Sequence, residues 1–120
     1  LSTQSTWAIG IPLATMQRAI DHSLCFGGTL DGRQVAFARV VSDYATFAYL
    51  VDVYVLQEYR GRGYGKRLMD AVMAHPDLQG LRRFMLATGT AHTLYARYGF
   101  TAPLRPETLM ERYVPDIYQR

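Results

Sequence analysis

The stretch that decides the fold of this chain reads VYVLQEYRGRGYGK, residues 53–66. An apolar, β-branched run leads into a polar loop with glycine at three alternate positions, and a helical pattern follows. Glycine lets the backbone turn sharply and lets a ligand approach without a Cβ atom in the way. The first N–H groups of the following helix have no partner within it and carry the positive end of its dipole. The stretch therefore predicts an anion site of the kind that takes phosphate.

The spacing of the glycines excludes two common phosphate loops. A dinucleotide fingerprint requires G-x-G-x-x-G, whereas this loop has glycine at every second position. A nucleoside-triphosphate loop requires a hydroxyl residue after its lysine, but Lys66 is followed by Arg67. From the loop alone, a basic turn that only caps the helix remains the alternative. The cationic side chains around the loop are Arg60, Arg62, Lys66 and Arg67.

Outward from the loop, hydrophobic periodicity and turn residues predict the remaining elements. Asp31-Gly32 is a strong hairpin signal, and Gly99 is expected to end a helix. Early hairpins followed by a strand–helix–strand unit predict a mixed α/β sheet. The predicted order is a helix over 12–23, strands over 25–30, 34–41 and 47–55, a helix over 63–75, a strand over 81–87, a helix over 91–98 and a last strand over 109–113.

Length and composition limit which classes of protein this chain can belong to. A chain of 120 residues predicts one domain over 1–120, and 49% hydrophobic with 19% charged residues excludes general disorder. No apolar stretch approaches the ~20 residues that cross a bilayer, and no signal peptide is visible, so we expect a cytoplasmic protein. Because the chain starts at Leu1, we expect some N-terminal residues of the domain to be missing. A net charge of +3 favours an anionic partner without requiring nucleic acid.

Two motifs together carry a family resemblance. Residues Arg60-Gly61-Arg62-Gly63-Tyr64-Gly65 fit the pattern [QR]-x-x-G-x-[GA], and a V-x-x-E-x-R lead precedes them. About thirty residues later, Tyr95 stands four positions before Gly99-Phe100. With the intervening helix and strand, these motifs resemble the GCN5-related N-acetyltransferases, the GNAT family. The resemblance covers residues 34–100 and is vague outside them.

The resemblance implies a fold and a cosubstrate. The fold is a mixed α/β, mostly antiparallel twisted sheet with two splayed central strands, flanked by helices. Acetyl-CoA, with no metal, would lie between the strands predicted over 47–55 and 81–87. Backbone groups of the strand would bond the acetyl and pantetheine part, and those of the loop would hold the pyrophosphate. The implied binding residues are Val53, Val55, Arg60, Gly61, Arg62, Gly63, Tyr64, Gly65 and Lys66.

The implied activity is transfer of the acetyl group to a primary amine by direct attack on the thioester. We expect the amine to belong to a small molecule, with no nucleic-acid or membrane partner, and a homodimer is left open. The alternative is a regulatory module that binds acyl-CoA without turnover. Nucleic-acid binding through Gly61-Arg62-Gly63 and Arg82-Arg83 is a third reading, which the small positive charge disfavours.

Tyr95 and Asp52 are the predicted catalytic residues. Tyr95 matches the family's usual general acid beside the thioester sulfur; the alternative is a packing role, which is also expected of Tyr98. Tyrosine titrates near 10 and a thiol near 8.5, so full proton donation is uphill by roughly 2 kcal/mol, and a hydrogen bond to the thiolate is the safer expectation. Asp52 is the only acid inside the central strand, so it is a candidate base; a structural acid bonded to backbone or to Arg39 is the alternative.

The remaining candidates carry weaker signals. His92 is more typical of a solvated residue than of a base, and Cys25 is expected to be buried filler. Thr90 is expected to cap the helix where many family members have an asparagine. Weaker candidate bases are Asp43, Glu58 and Glu111, and residues that could line an acceptor pocket or simply belong to the core are Trp7, Tyr44, Phe47 and Tyr49.

Overall fold

The computed structural model describes residues 11–119, and Trp7 lies outside them. Within residues 11–119, four strands form one sheet in the order β1-β2-β3-β4, with three α-helices, which confirms the predicted mixed α/β class. The elements are α1 Leu13–Asp21, β1 Leu24–Leu30, β2 Arg33–Ser42, β3 Phe47–Val55, α2 Tyr64–Ala74, β4 Arg83–Leu86 and α3 His92–Ala96, with short 3-10 turns at Gln57–Tyr59, Pro76–Leu78, Pro106–Thr108 and Ile117–Gln119.

Two tight turns hold the antiparallel part of the sheet. Asp31 and Gly32 both have positive φ, +52° and +78°, which is the backbone that a two-residue hairpin between β1 and β2 requires. The turn from β2 to β3 is organised by Asp43, whose carboxylate accepts hydrogen bonds from the N–H groups of Ala45 and Thr46. The second turn thus uses a short acidic side chain to satisfy backbone N–H groups between the strands.

A β-bulge interrupts β3 at Asp52. Phe37 pairs with Tyr54 and Arg39 with Val51, so two residues of β3 stand opposite one of β2. Asp52 has φ +56°, a left-handed conformation that aspartate tolerates better than most residues. Bulges bend a strand and redirect its side chains, and this one lies in the central strand of the sheet.

The strands β3 and β4 run parallel and then separate. Their pairing runs from Phe47 with Arg83 to Leu50 with Leu86, whereas β3 continues to Val55. Residues 51–55 of β3 therefore have no paired residue in β4, and a wedge opens between the strands. This confirms the splayed central strands that the resemblance implied.

The core lies between the sheet and α2. Leu68, Met69 and Val72 of the helix pack on one face of β2 and β3, where alanines such as Ala36 and Ala38 let the helix approach closely. Tyr95 of α3 joins the same cluster, with only 8% of the residue exposed. The core thus fixes α2 and α3 on the same face of the wedge.

The tail departs from prediction. The strand predicted over 109–113 is wrong: these residues pair with no strand of the described part of the chain, and Met110 is 97% exposed. Prolines 103, 106 and 115 lack the N–H that a sheet ladder needs, and a 3-10 turn at Pro106–Thr108 changes the chain direction. Cys25 is exposed in β1, at one edge of the sheet, so its prediction as buried filler is also wrong.

Candidate active site

The glycine loop joins the end of β3 to the start of α2. Gly61 and Gly63 have φ of +80° and +85°, so the loop uses backbone that other residues adopt only with strain. Gly63 is the N-cap of α2; no side chain of the described residues caps that end, and the first turn holds no acid. A Cβ built at Gly61 or Gly63 would meet no heavy atom within 4 Å. The helix N-terminus is therefore approachable along its axis, as an anion site requires.

The arginines of the loop are held by aromatic rings. The Arg62 guanidinium lies 5.3 Å from the centre of the Tyr59 ring, and that of Arg33 lies 5.9 Å from the same centre. Arg67 lies 5.4 Å from the ring centre of Tyr64, and the two tyrosines meet edge to face at 6.2 Å. These contacts order the loop from the side, leaving its glycines exposed.

The end of β3 already forms a hydrogen bond with the loop that follows it. Arg60 donates from Nε to the Val55 carbonyl oxygen over 3.0 Å, so this predicted backbone contact of a ligand already serves the loop. Val53 follows the bulge and lies in the stretch that β4 leaves unpaired. Lys66 pairs with Asp70 at 3.2 Å on the exposed side of α2.

Tyr95 lies on α3 in a mostly apolar setting. Its ring packs edge to face on Phe100 at 6.2 Å, and its hydroxyl makes no hydrogen bond with any residue from 11 to 119. Burial raises the pKa of Tyr95 above its ordinary value of 10. The hydroxyl is therefore protonated at neutral pH and available to donate a hydrogen bond.

Tyr98 has a structural role, as its predicted packing function required. Its hydroxyl donates to Oδ1 of Asp70 over 2.7 Å and lies 3.1 Å from the Lys66 carbonyl oxygen. The bond to Tyr98 is the main cause that lowers the pKa of Asp70. This contact ties α3 to α2 across 28 residues of sequence.

Asp52 meets Arg39, the structural alternative that the sequence left open. Arg39 donates from Nε to Oδ2 of Asp52 over 2.9 Å and from Nη1 to Oγ of Ser23, also over 2.9 Å. The side chains of Arg39 and Asp52 are 14% and 17% exposed. Because β2 presents Ala38 and Val40 to α2, the intervening Arg39 points to the opposite face. Asp52 and Tyr95 thus approach the sheet from opposite faces.

The weaker acid candidates have other functions. Thr46 donates from its hydroxyl and its N–H to Asp43, which holds the pKa of that carboxyl far below its usual range. Glu58 lies on the surface and pairs with Arg33 at 2.8 Å. Glu111 is in the exposed tail. None of the three is brought to Tyr95 or to the wedge by these contacts.

The turn before α3 corrects one prediction. Thr88, rather than Thr90, accepts the Ala91 N–H on its Oγ1 over 2.9 Å, and Ala91 is the N-cap residue. Thr90 does not cap the helix because α3 begins at His92, one residue later than predicted, which leaves Ala91 at the N-cap position. His92, the first residue of α3, is exposed. Tyr44 and Phe47 are also exposed, and Tyr49 is half-buried on β3.

Two features are absent from the described residues. Within residues 11–119, no group of three or more His, Cys, Asp or Glu side chains could hold a metal ion. The same part of the chain contains no helix long and apolar enough to cross a membrane.

Comparisons with known proteins agree with this geometry. The model of the Acetyltransferase (GNAT) family matches residues 2–100. A Gibberella zeae protein named as an acetyltransferase is 31% identical over 112 residues, covering 76% of this chain; the chain spans only 62% of that relative. A solved GNAT-family structure from Xanthomonas campestris pv. campestris is 76% identical, covers 100% of this chain and 84% of that chain, and has a TM-score of 0.95.

A more distant structure shares the fold alone. Glucosamine-6-phosphate N-acetyltransferase from Arabidopsis thaliana is 17% identical, with a TM-score of 0.61 over 83% of this chain and 72% of its own.

Proposed function

The chain belongs to the GNAT family of acetyltransferases, and from that premise we propose that it transfers an acetyl group from acetyl-CoA to a primary amine on a small molecule. The observation that carries the proposal is the wedge: β3 and β4 stop pairing at Leu50 and Leu86, and the glycine loop begins where β3 ends. An extended ligand that lies along the free edge of β3 would present its phosphates to the N-terminus of α2.

The loop and the strand divide the binding work. Open space above Gly61 and Gly63, together with the uncapped first turn of α2, suits a diphosphate. The edge of residues 51–55 offers backbone groups to an amide-bearing arm, as an additional strand would use them. Acetyl-CoA, when bound, supplies the acetyl group as an activated thioester.

The reaction requires two proton-handling groups. The amine nitrogen bonds to the acetyl carbon, the carbon–sulfur bond breaks with its electron pair left on sulfur, and the amine gives up a proton. We assign Tyr95, protonated and without a hydrogen-bond partner among the described residues, to donate a hydrogen bond to the sulfur. We assign Asp52, on the opposite face of the sheet, to take the amine proton directly or through water.

Acetyl-CoA binding tests the site with a matched pair of glycines. Gly63 and Gly80 both have positive φ, +85° and +70°, and a Cβ at either meets nothing within 4 Å, so glutamate strains the backbone alike at both. Gly63→Glu places a carboxylate at the proposed diphosphate site, so we expect acetyl-CoA affinity to fall ~100-fold, about 2.7 kcal/mol, by calorimetry. Gly80→Glu should bind as the parent does. Equal affinity in the two variants would end the assignment.

Turnover tests the catalytic assignment. Tyr95→Phe should keep acetyl-CoA affinity and lower kcat by roughly 10- to 100-fold in a thiol-release assay against pooled primary amines. Tyr98→Phe, in the turn that follows the same helix, is the control: it removes the Asp70 contact and should cost stability with little change in kcat. In the same assay, Asp52→Asn should lower kcat while leaving affinity unchanged. A protein that binds acetyl-CoA yet acetylates no amine is a binding module, contrary to the proposal.

A further inference from the structure

A cleft of about 890 Å³ lies between β4, α3 and residues 100–109 of the tail. This volume is within the ~300–1,000 Å³ range typical of small-molecule sites. None of residues 57–66 of the glycine loop lines the cleft, so it is separate from the proposed diphosphate site. A ligand of the cleft would therefore be bound apart from the proposed diphosphate.

The cleft meets the wedge at its apex. Leu86, the last residue of β4 that pairs with β3, lines the cleft, and so does Tyr95. A molecule in the cleft would thus lie next to the point where the strands separate and next to the proposed hydrogen-bond donor to sulfur. Because the glycine loop is at the other end of the wedge, the cleft is placed to hold the second reactant.

The charge of the lining is one-sided. It contains three arginines and neither aspartate nor glutamate. Arg105 is partly neutralised by Glu107, 3.4 Å away. Arg82 and Arg83 make no side-chain hydrogen bond or ion pair with any residue from 11 to 119, while their backbone N–H groups bond to the Thr46 carbonyl oxygen at 3.0 and 3.3 Å. The backbone is fixed and the two guanidinium groups are free to bind an anion.

The lining also has an apolar part. Phe84 and Phe100 meet edge to face at 5.4 Å, and Leu86 and Leu109 add aliphatic surface. An occupant that fits both parts has an apolar body and an anionic end.

We propose that this cleft holds the acceptor, and that the acceptor is an amine that also carries a carboxylate or a phosphate-type group on a partly apolar body. The proposal rests on the proposed acetyl transfer and specifies its substrate class. Guanidinium groups recognise carboxylates and phosphates through two parallel hydrogen bonds, so Arg82 and Arg83 determine specificity. A polyamine carries only positive charges. The arginines of the lining would repel it, and the lining has no carboxylate to attract it.

The same charge also favours the chemistry. A positive environment favours the neutral form of an amine over its ammonium form, and only the neutral amine has the electron pair that attacks the thioester. The arginines of the lining therefore raise the fraction of the acceptor amine that is neutral in the cleft.

Matched amine pools test this inference. The probes are a pool of L-amino acids, the same pool as methyl esters, a pool of aminophosphonates, and spermidine. We expect kcat/KM for a pool with a free anionic group to exceed that for the esters by about 10-fold or more, as a charge-assisted contact would give. The carboxylate and phosphonate pools distinguish the two sources of the anion. Spermidine should be the poorest acceptor.

Arginine variants connect the preference to the cleft. The double variant Arg82→Gln/Arg83→Gln should lose the preference for the anionic pool through a rise in KM, with acetyl-CoA affinity unchanged. Arg112→Gln removes the same charge from the exposed tail outside the cleft and should retain the preference.

Several outcomes would overturn the inference. They are a preference for the esters or spermidine and a preference for the anionic pools that survives in the double variant. A dimer whose formation protects residues 82–86 from hydrogen exchange would show that a second copy covers the cleft. Failure of acetyl-CoA to bind the parent, or binding with no turnover of any pool, would instead remove the proposed function, whereas acetylation of the methyl esters as fast as of the free amino acids would remove this inference alone.

Discussion

The glycine loop and the cleft behind β4 are both basic, but they hold their arginines in different ways. In the loop, Arg62 and Arg67 lie over tyrosine rings, and Arg60 bonds the backbone of β3. In the cleft, Arg82 and Arg83 have no side-chain partner among residues 11–119. The arginines of the loop therefore stabilise its backbone, whereas Arg82 and Arg83 are available to bind a ligand in the cleft.

This difference separates two ways of binding an anion. The loop presents N–H groups at a helix end, and its arginines keep those groups in place. The cleft offers guanidinium side chains whose own chain positions are fixed by the sheet. The free energy of unfolding should therefore fall most when an arginine with several side-chain partners is substituted, and least when the arginine has none.

Arg39, on β2, lies outside both regions and has two side-chain partners, so its loss should lower stability the most. Arg39→Gln removes a guanidinium held by both Asp52 and Ser23 in a site that is mostly buried. We expect the free energy of unfolding, measured in urea, to fall by about 2 kcal/mol. Arg33→Gln, on the same strand, breaks a pair with Glu58 whose side chains are 59% and 58% exposed, and should cost less than about 1 kcal/mol. Equal losses would contradict the order.

Tyr59 should show an intermediate effect, confined to the loop. Its ring faces both Arg33 and Arg62, so Tyr59→Leu releases two guanidinium groups and loosens the path into α2. We expect acetyl-CoA to bind roughly 3- to 10-fold more weakly by calorimetry, corresponding to about 1 kcal/mol of lost cation–π contact. Tyr113→Leu, 70% exposed in the tail, is the control and should bind normally. Unchanged affinity in Tyr59→Leu would show that the rings do not position the loop.

Arg82 and Arg83 should show the smallest effect on stability. Their side chains are exposed and without partners among the described residues, so Arg82→Gln and Arg83→Gln should change the free energy of unfolding by less than about 0.5 kcal/mol. Urea unfolding of each single variant and of the double variant measures this. A loss as large as that of Arg39→Gln would mean that the cleft arginines are structural and would erase the contrast between the regions.

The sequence predicted best where the signal is local. The prediction for β3 agrees with the structure at both ends, and α2 begins one residue after its predicted start, because glycines and apolar spacing act over a few residues. The predicted strand over 109–113 failed for the opposite reason. Apolar residues favour a strand only where a free edge is in reach, and nothing in the local pattern specifies that edge.

In the candidate site, too, the features that depend on local sequence could be predicted and those that depend on distant contacts could not. The glycine loop and Tyr95 could be located from their motifs, and Arg39 could be named as the partner of Asp52. The bulge at Asp52 depends on register with β2, which a single strand does not reveal. The cleft depends on bringing Arg82 and Arg83 together with a tail that follows α3, so only the folded chain shows it.

The hydroxyl of Tyr98 has a mechanical consequence. By bonding Asp70, it couples the helix that bears Tyr95 to the helix that begins at the glycine loop. We expect this bond to resist separation of the two helices at that point. In the proposed reaction, the coenzyme would then leave along the free edge of β3 rather than through a gap between the helices.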